Sequence, residues 1–232
     1  MLLPIFHLSA AAIDSYVMWY DQNYVELPVH NELLKDFPLK SRSLFLTIWC
    51  LIMQIAYHTI AFLNDIIGSN DPSPKKKPLI RLIKDTLFSL AFPIAIYVSV
   101  AFWSIYAVDK DLIFPDVIEK LYPTWMNHVM HTTVAIFMFL ELILTSRSYP
   151  SRAVGISITL AFSMSYIAWL LIIYFKSGEW AYPFLNILNW PLRIVFFGIS
   201  TIVILGVYDF SEKLNYLLLP GSQRDAEKLK KR

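Results

Sequence analysis

The stretch Asn127-His128-Val129-Met130-His131 opens an almost wholly apolar run that continues from Thr133 to Leu144. Two imidazoles and a carboxamide thus stand in a segment whose surroundings are lipid. Polar groups at that depth are costly, face protein or a wet cavity, and mark a site by default. Imidazole chemistry in such a place is proton transfer or metal ligation. His128 and His131, three residues apart, are neighbours on one face of a regular helix. In a second apolar run Thr47, Gln54 and His58 recur at spacings of seven and four and share a face. Thr47 lies about four residues into its run and His131 about six into its own, so at ~1.5 Å per residue both sit ~6–9 Å below one interface. They meet if the two helices are adjacent. A hydroxyl beside an imidazole is the minimum for nucleophilic catalysis, because the imidazole takes the proton as the hydroxyl attacks a carbonyl.

Other roles compete for the same residues. Threonines in membrane helices mostly hydrogen-bond their own backbone, and a lone membrane histidine more often bridges helices. His128 and His131, with His58 or Glu141, are also a conceivable metal set, and a haem would need axial ligands. The chain has only five histidines, and no arrangement singles out a pair across two spans, so neither metal nor cofactor is expected. Cys50 is the single cysteine, which excludes an intrachain disulfide and a thiolate cluster. Glu141, ten residues beyond His131, is expected to be a buried structural carboxylate paired with a residue such as Arg193.

These groups must be positioned by membrane-spanning helices. The 232 residues are 56% hydrophobic and 16% charged, and several apolar runs approach the ~20 residues that cross a bilayer. The fold class is all-α, a multispanning transmembrane helical bundle forming a single integral membrane domain. Its six expected spans are 2–19, 43–66, 86–108, 124–144, 154–175 and 184–207, with a cytosolic tail over 209–232. A net charge of +2 gives nucleic-acid binding no electrostatic basis. Thirteen lysines and arginines fall on the side of linker 68–78 and the tail, six on the other, so both termini are expected in the cytosol. The tail ends Lys228-Leu229-Lys230-Lys231-Arg232, which reads as an endoplasmic-reticulum retrieval signal or as a basic segment near anionic lipid. The plasma membrane is the other location considered.

The order and spacing of many short motifs then resemble one family. They include Leu46-Thr47 with Gln54; Ala91-Phe92-Pro93; Phe102-Trp103 followed by Tyr106 and Asp109; Trp125 to Thr132; and Tyr149-Pro150-Ser151. Further on come Gly178, Trp180 with Tyr182-Pro183, Arg193 with Phe196-Phe197, and Glu212 with Leu214-Asn215. From Arg42 to Asn215 the chain resembles the androgen-induced and androgen-dependent TFPI-regulating proteins, membrane hydrolases of fatty acid esters of hydroxy fatty acids. The resemblance implies a threonine nucleophile at Thr47 and a histidine base at His131. One departure lies beside that threonine, where Ser43-Leu44-Phe45 replaces the family's frequent Trp-Lys-Tyr. The first span and the tail match poorly.

The function expected is hydrolysis of the branching ester of a lipid delivered from the bilayer, without a cofactor. Asn127 and His128 are candidates for support or as oxyanion donors, and Met53, Met126, Met130 and Phe137 are candidates to line the acyl site. Two non-enzymatic alternatives remain: a transporter or lipid-binding protein with a proton-sensitive His128/His131 gate, and a signalling or scaffold protein. The sequence leaves oligomeric state open.

Overall fold

The computed structural model describes residues 2–28, 31–71 and 77–218, and among these it contains helices and no strand. The end of the tail, on which the retrieval-signal reading falls, and residues 72–76 of the basic linker lie outside the described residues. Six helices are long and apolar enough to cross a membrane: α1 (Leu2–Tyr24), α2 (Leu46–Ile67), α3 (Leu79–Val108), α4 (Thr124–Leu144), α5 (Arg152–Ser177) and α6 (Trp190–Leu218). The protein is a multi-pass membrane protein. α3 is the most enclosed helix and touches α2, α4, α5 and α6, while α1 packs along α2.

The observed limits depart from the expected spans where charge is neutralised by folding. α3 starts at Leu79, seven residues before 86, and carries Arg81, Lys84 and Asp85 buried inside the bundle. Arg81 Nε donates to Asp85 Oδ2 at 3.0 Å, and Arg81 also caps carbonyls of Asp71 and Ser146. Paired in this way, the charges extend the helix instead of ending it. α6 starts at Trp190 instead of 184. Asn189 Oδ1 accepts from the Leu192 amide at 3.1 Å as a cap, with Pro191 in the first turn, where its missing N–H costs nothing. Residues Pro183–Ile187 form a separate short helix, and α6 continues through 209 to Leu218, into what had been expected to be tail.

At the end of the bundle away from Thr47, α1, α2 and α4 are tied by buried ion pairs. His7 faces Asp65 Oδ2 at 2.6 Å and Glu141 Oε2 at 2.7 Å. Glu141 also accepts from Tyr57 and Thr145, each at 2.5 Å, and lies 3.5 Å from Arg147. The expected Glu141–Arg193 pairing does not form, because the two lie at opposite ends of the bundle. Arg193 donates from Nε to the Leu185 carbonyl at 2.9 Å and lies over the rings of Trp180 and Trp190. His58 packs against Phe6, His7, Tyr57 and Phe137, within the far cluster and apart from His131.

Candidate active site

Thr47 is the second residue of α2, so its position depends on how the chain enters that helix. Three consecutive residues before it, Leu39, Lys40 and Ser41, have left-handed backbone angles (φ 56°, 50° and 71°). Non-glycine residues in that region cost roughly 1–3 kcal/mol each and persist only where the surroundings over-determine them. Here Arg42, buried, donates to Asp21 Oδ2 at 2.8 Å and to the carbonyls of Lys40 and Val25. The indoles of Trp49 and Trp169 both donate to the Ser43 carbonyl, at 2.9 and 2.8 Å. Tyr166 donates to the Leu44 carbonyl at 2.9 Å, and the Leu46 amide donates to Tyr182 Oη at 2.9 Å. Trp169, Tyr166 and Tyr182 thus hold the turn that presents Thr47.

His131 is set by a different irregularity. α4 is interrupted by one π-helical turn over Val129–Thr133. Such turns carry an extra residue and often occur at functional sites. The wider turn separates the two histidines that a regular helix would place side by side. His131 is buried, its ring stacked at 3.6 Å on Phe102 of α3. His128 is exposed, stacks on Trp103 at 5.3 Å, and its Nδ1 lies 3.3 Å from Thr132 Oγ1. Consecutive residues of α3 therefore hold the two imidazoles apart, and His128 does not reach the cavity at Thr47.

Across α2 and α4, Thr47 Oγ1 stands 3.1 Å from His131 Nε2. His131 Nδ1 lies 2.7 Å from Asn127 Oδ1 and 3.1 Å from the Asn127 carbonyl. Both of those oxygens can only accept, so Nδ1 carries the proton and Nε2 of the neutral ring is bare. The Thr47 hydroxyl therefore donates to Nε2. The row carboxamide–imidazole–hydroxyl has the connectivity by which a base is oriented and a nucleophile activated. Asn127, considered for an oxyanion role from sequence, has its side-chain oxygen turned to His131. The Thr47 amide, in the first turn of α2, has no backbone acceptor among the described residues, as expected of a helix start.

The pair opens on a cavity of about 300 Å³ lined by residues of α2, α3, α4, α5, α6 and the segments 113–122 and 181–185. Its lining is mostly aliphatic and aromatic and includes no Lys, Arg, Asp or Glu. Of the four residues expected to form an acyl site, Met130 lines it; Met53, Met126 and Phe137 do not. Segment 113–122 forms part of its wall. It is clasped by Lys110, whose ammonium contacts Asp116 and Glu119 at 2.6 Å each and holds both carboxyls below the usual range. Tyr122 Oη also donates to Asp21 at 2.8 Å. No group of three or more His, Cys, Asp or Glu residues suited to a metal ion occurs among the described residues.

Fold and site define a class: polytopic helical membrane proteins with a hydroxyl–imidazole–carboxamide row on an apolar cavity. The model of FAR-17a/AIG1-like proteins matches residues 3–216, and the chain belongs to that family. It is 35% identical to the androgen-induced gene 1 protein of Homo sapiens over 222 residues, covering 92% of this chain and 91% of the relative. It is 33% identical to the androgen-dependent TFPI-regulating protein of Mus musculus over 207 residues, 85% of this chain and 87% of the relative. The match starts at residue 3, so it includes the first span, which the motifs had left out. No solved structure is significantly similar.

Proposed function

We propose that this protein is a membrane-embedded ester hydrolase for fatty acid esters of hydroxy fatty acids, with Thr47 as nucleophile and His131 as general base. The observation that carries the proposal is the 3.1 Å contact from Thr47 Oγ1 to the unprotonated Nε2 of His131, on the wall of an apolar cavity. Thr47 Oγ1 attacks the ester carbonyl while its proton passes to Nε2. The resulting oxyanion has the Thr47 amide as a donor on the nucleophile's own residue. Nε2–H then protonates the departing alkoxide, releasing the hydroxy acid and leaving acyl-threonine. Water attacks that ester, His131 takes its proton, and return of the proton to Oγ1 frees the fatty acid and restores Thr47. Asn127 keeps the Nδ1–H tautomer throughout and orients the ring.

The lipid character of the substrate rests on the lining. Phe162, Ile167, Phe184, Phe196 and Phe197 line the cavity yet are only partly buried, so this wall faces lipid between α5 and α6. Thr47→Ala and His131→Ala are each expected to abolish turnover of a branched fatty acid ester while the proteins accumulate in membranes at wild-type levels. Near-normal turnover by either variant, at matched amounts in nanodiscs, would refute the assignment.

A further inference from the structure

An accounting of hydroxyl protons around the cavity singles out one position far from Thr47. Eight side-chain hydroxyls line it. Thr47 donates to His131 and Tyr122 to Asp21. Tyr166 donates to the Leu44 carbonyl, so the 2.9 Å contact between Tyr182 and Tyr166 has Tyr182 as donor. Ser163 and Thr201 donate back to their own helices, to Thr159 and Phe197 carbonyls, each at 2.9 Å. Tyr97 Oη donates to Ser200 Oγ at 2.7 Å, joining α3 to α6. Only the proton of Ser200 has no acceptor among the described residues. The neighbouring Thr201 and, on α5, Thr159, Ser163 and Ser165 bond the carbonyl four residues back; Ser200 does not.

A donor left over in an apolar cavity is a recognition element, since a ligand lacking an acceptor there leaves it unmatched. Accepting from Tyr97 also polarises the serine O–H and strengthens it as a donor. Its depth follows from α3. Tyr97 precedes Phe102, the ring stacked on His131, by five residues, which places it roughly 7–8 Å farther along the helix from the catalytic pair. The acceptor is uncharged, because no lining residue is a Lys or Arg that could neutralise a carboxylate.

We propose that Ser200, backed by Tyr97, forms a second oxygen subsite: the acyl chain held in the cavity carries a neutral acceptor, a hydroxyl or carbonyl oxygen, several carbons from the scissile ester. The proposal rests on the hydrolase reading and extends it from branched lipid esters to oxygenated acyl chains. A plain interhelical hydrogen bond is the competing role, and it would affect oxygenated and plain substrates alike.

The test uses the full-length protein in nanodiscs and a matched pair of long-chain esters, one with a mid-chain keto group and one without. Wild type is expected to favour the keto ester about five- to tenfold in kcat/KM, mostly through KM, the size of one hydrogen bond. Ser200→Ala should bring the ratio to about one whatever its absolute rate, and Ser200→Thr, which keeps the hydroxyl, should retain it. The preference should depend on where the keto group stands along the chain. A second arm measures binding of the corresponding non-hydrolysable ethers to Thr47→Ala protein, with and without Ser200→Ala, by displacement of a fluorescent lipid. If the chain is not a hydrolase, neither ester shows Thr47-dependent turnover, yet the ether pair is still discriminated. Equal treatment of the pair by wild type, a preference that survives Ser200→Ala, or one indifferent to keto position overturns the subsite.

Discussion

At the scale of single residues, Asn127 and His128 part company. Both entered as support or oxyanion candidates because they precede His131 on an apolar helix. Asn127 is buried and its Oδ1 accepts from Nδ1–H of His131 at 2.7 Å; His128 is exposed and rests on Trp103. Loss of the Asn127 side chain removes the shorter of the two acceptors on Nδ1 and leaves the ring held by the 127 carbonyl and the Phe102 stack, and supports of this kind carry much of a site's precision. Asn127→Ala is expected to lower kcat about 10- to 100-fold with little change in KM, as when a triad's orienting member is removed but the rest persists. His128→Ala should change kcat by less than about threefold, since it removes only exposed contacts to Trp103 and Thr132. Steady-state kinetics on both variants check this, and the reverse ranking would put the proton on the wrong histidine.

At the scale of elements, the site depends on how closely helices approach and on where they break regularity. Gly155 of α5 lies against the Tyr208 side chain of α6: a Cβ there would lie 2.3 Å from Tyr208 Oη and 2.6 Å from the ring. Gly198 and Gly206 of α6 have no such neighbour within 4 Å. Gly155→Ala is therefore expected to destabilise by about 1–3 kcal/mol through overpacking, while Gly198→Ala should leave the melting temperature near wild type. Thermal unfolding in one detergent compares them; equal behaviour of the two would show that the α5–α6 approach is not a constraint. Small residues at such crossings were recognisable in principle, but nothing in the sequence distinguished Gly155 from the other helical glycines. The π turn at Val129–Thr133 was equally hidden. A regular helix predicted adjacent histidines, and one extra residue in the turn separates them.

At the scale of the molecule, two expectations concern the membrane. Linker 68–78 and the C-terminus are expected in the cytosol, from the excess of basic residues on that side. Tags at both points should be reached by antibody once the plasma membrane alone is permeabilised, and protection of either until all membranes are opened would overturn the orientation. The cavity's apolar lining also predicts how turnover varies with chain length. Each buried methylene adds ~0.8 kcal/mol of transfer free energy, so kcat/KM should rise with acyl length until the cavity is filled. A short acetyl ester should be the poorer substrate despite its more reactive carbonyl. Comparison of acetyl and long-chain esters in one nanodisc preparation decides it, and parity would mean that the site draws its substrate from water.

Hydropathy alone was enough to find six crossings and to place Thr47 and His131 at a common depth, because the length of an apolar run and the rise of a helix set both. The family was legible from motif order for the same local reason. Which distant polar groups pair was not local. Glu141 found His7 and Tyr57 in place of Arg193. The i,i+4 pair of Arg81 and Asp85 was absorbed into a helix instead of ending a span. The brace of Tyr166 and Tyr182 on the start of α2 and the unmatched proton of Ser200 each require residues 103 to 136 positions apart to meet. A hydrogen bond in a low-dielectric interior is decided by where its partner ends up in space, and that is settled only when the six helices pack.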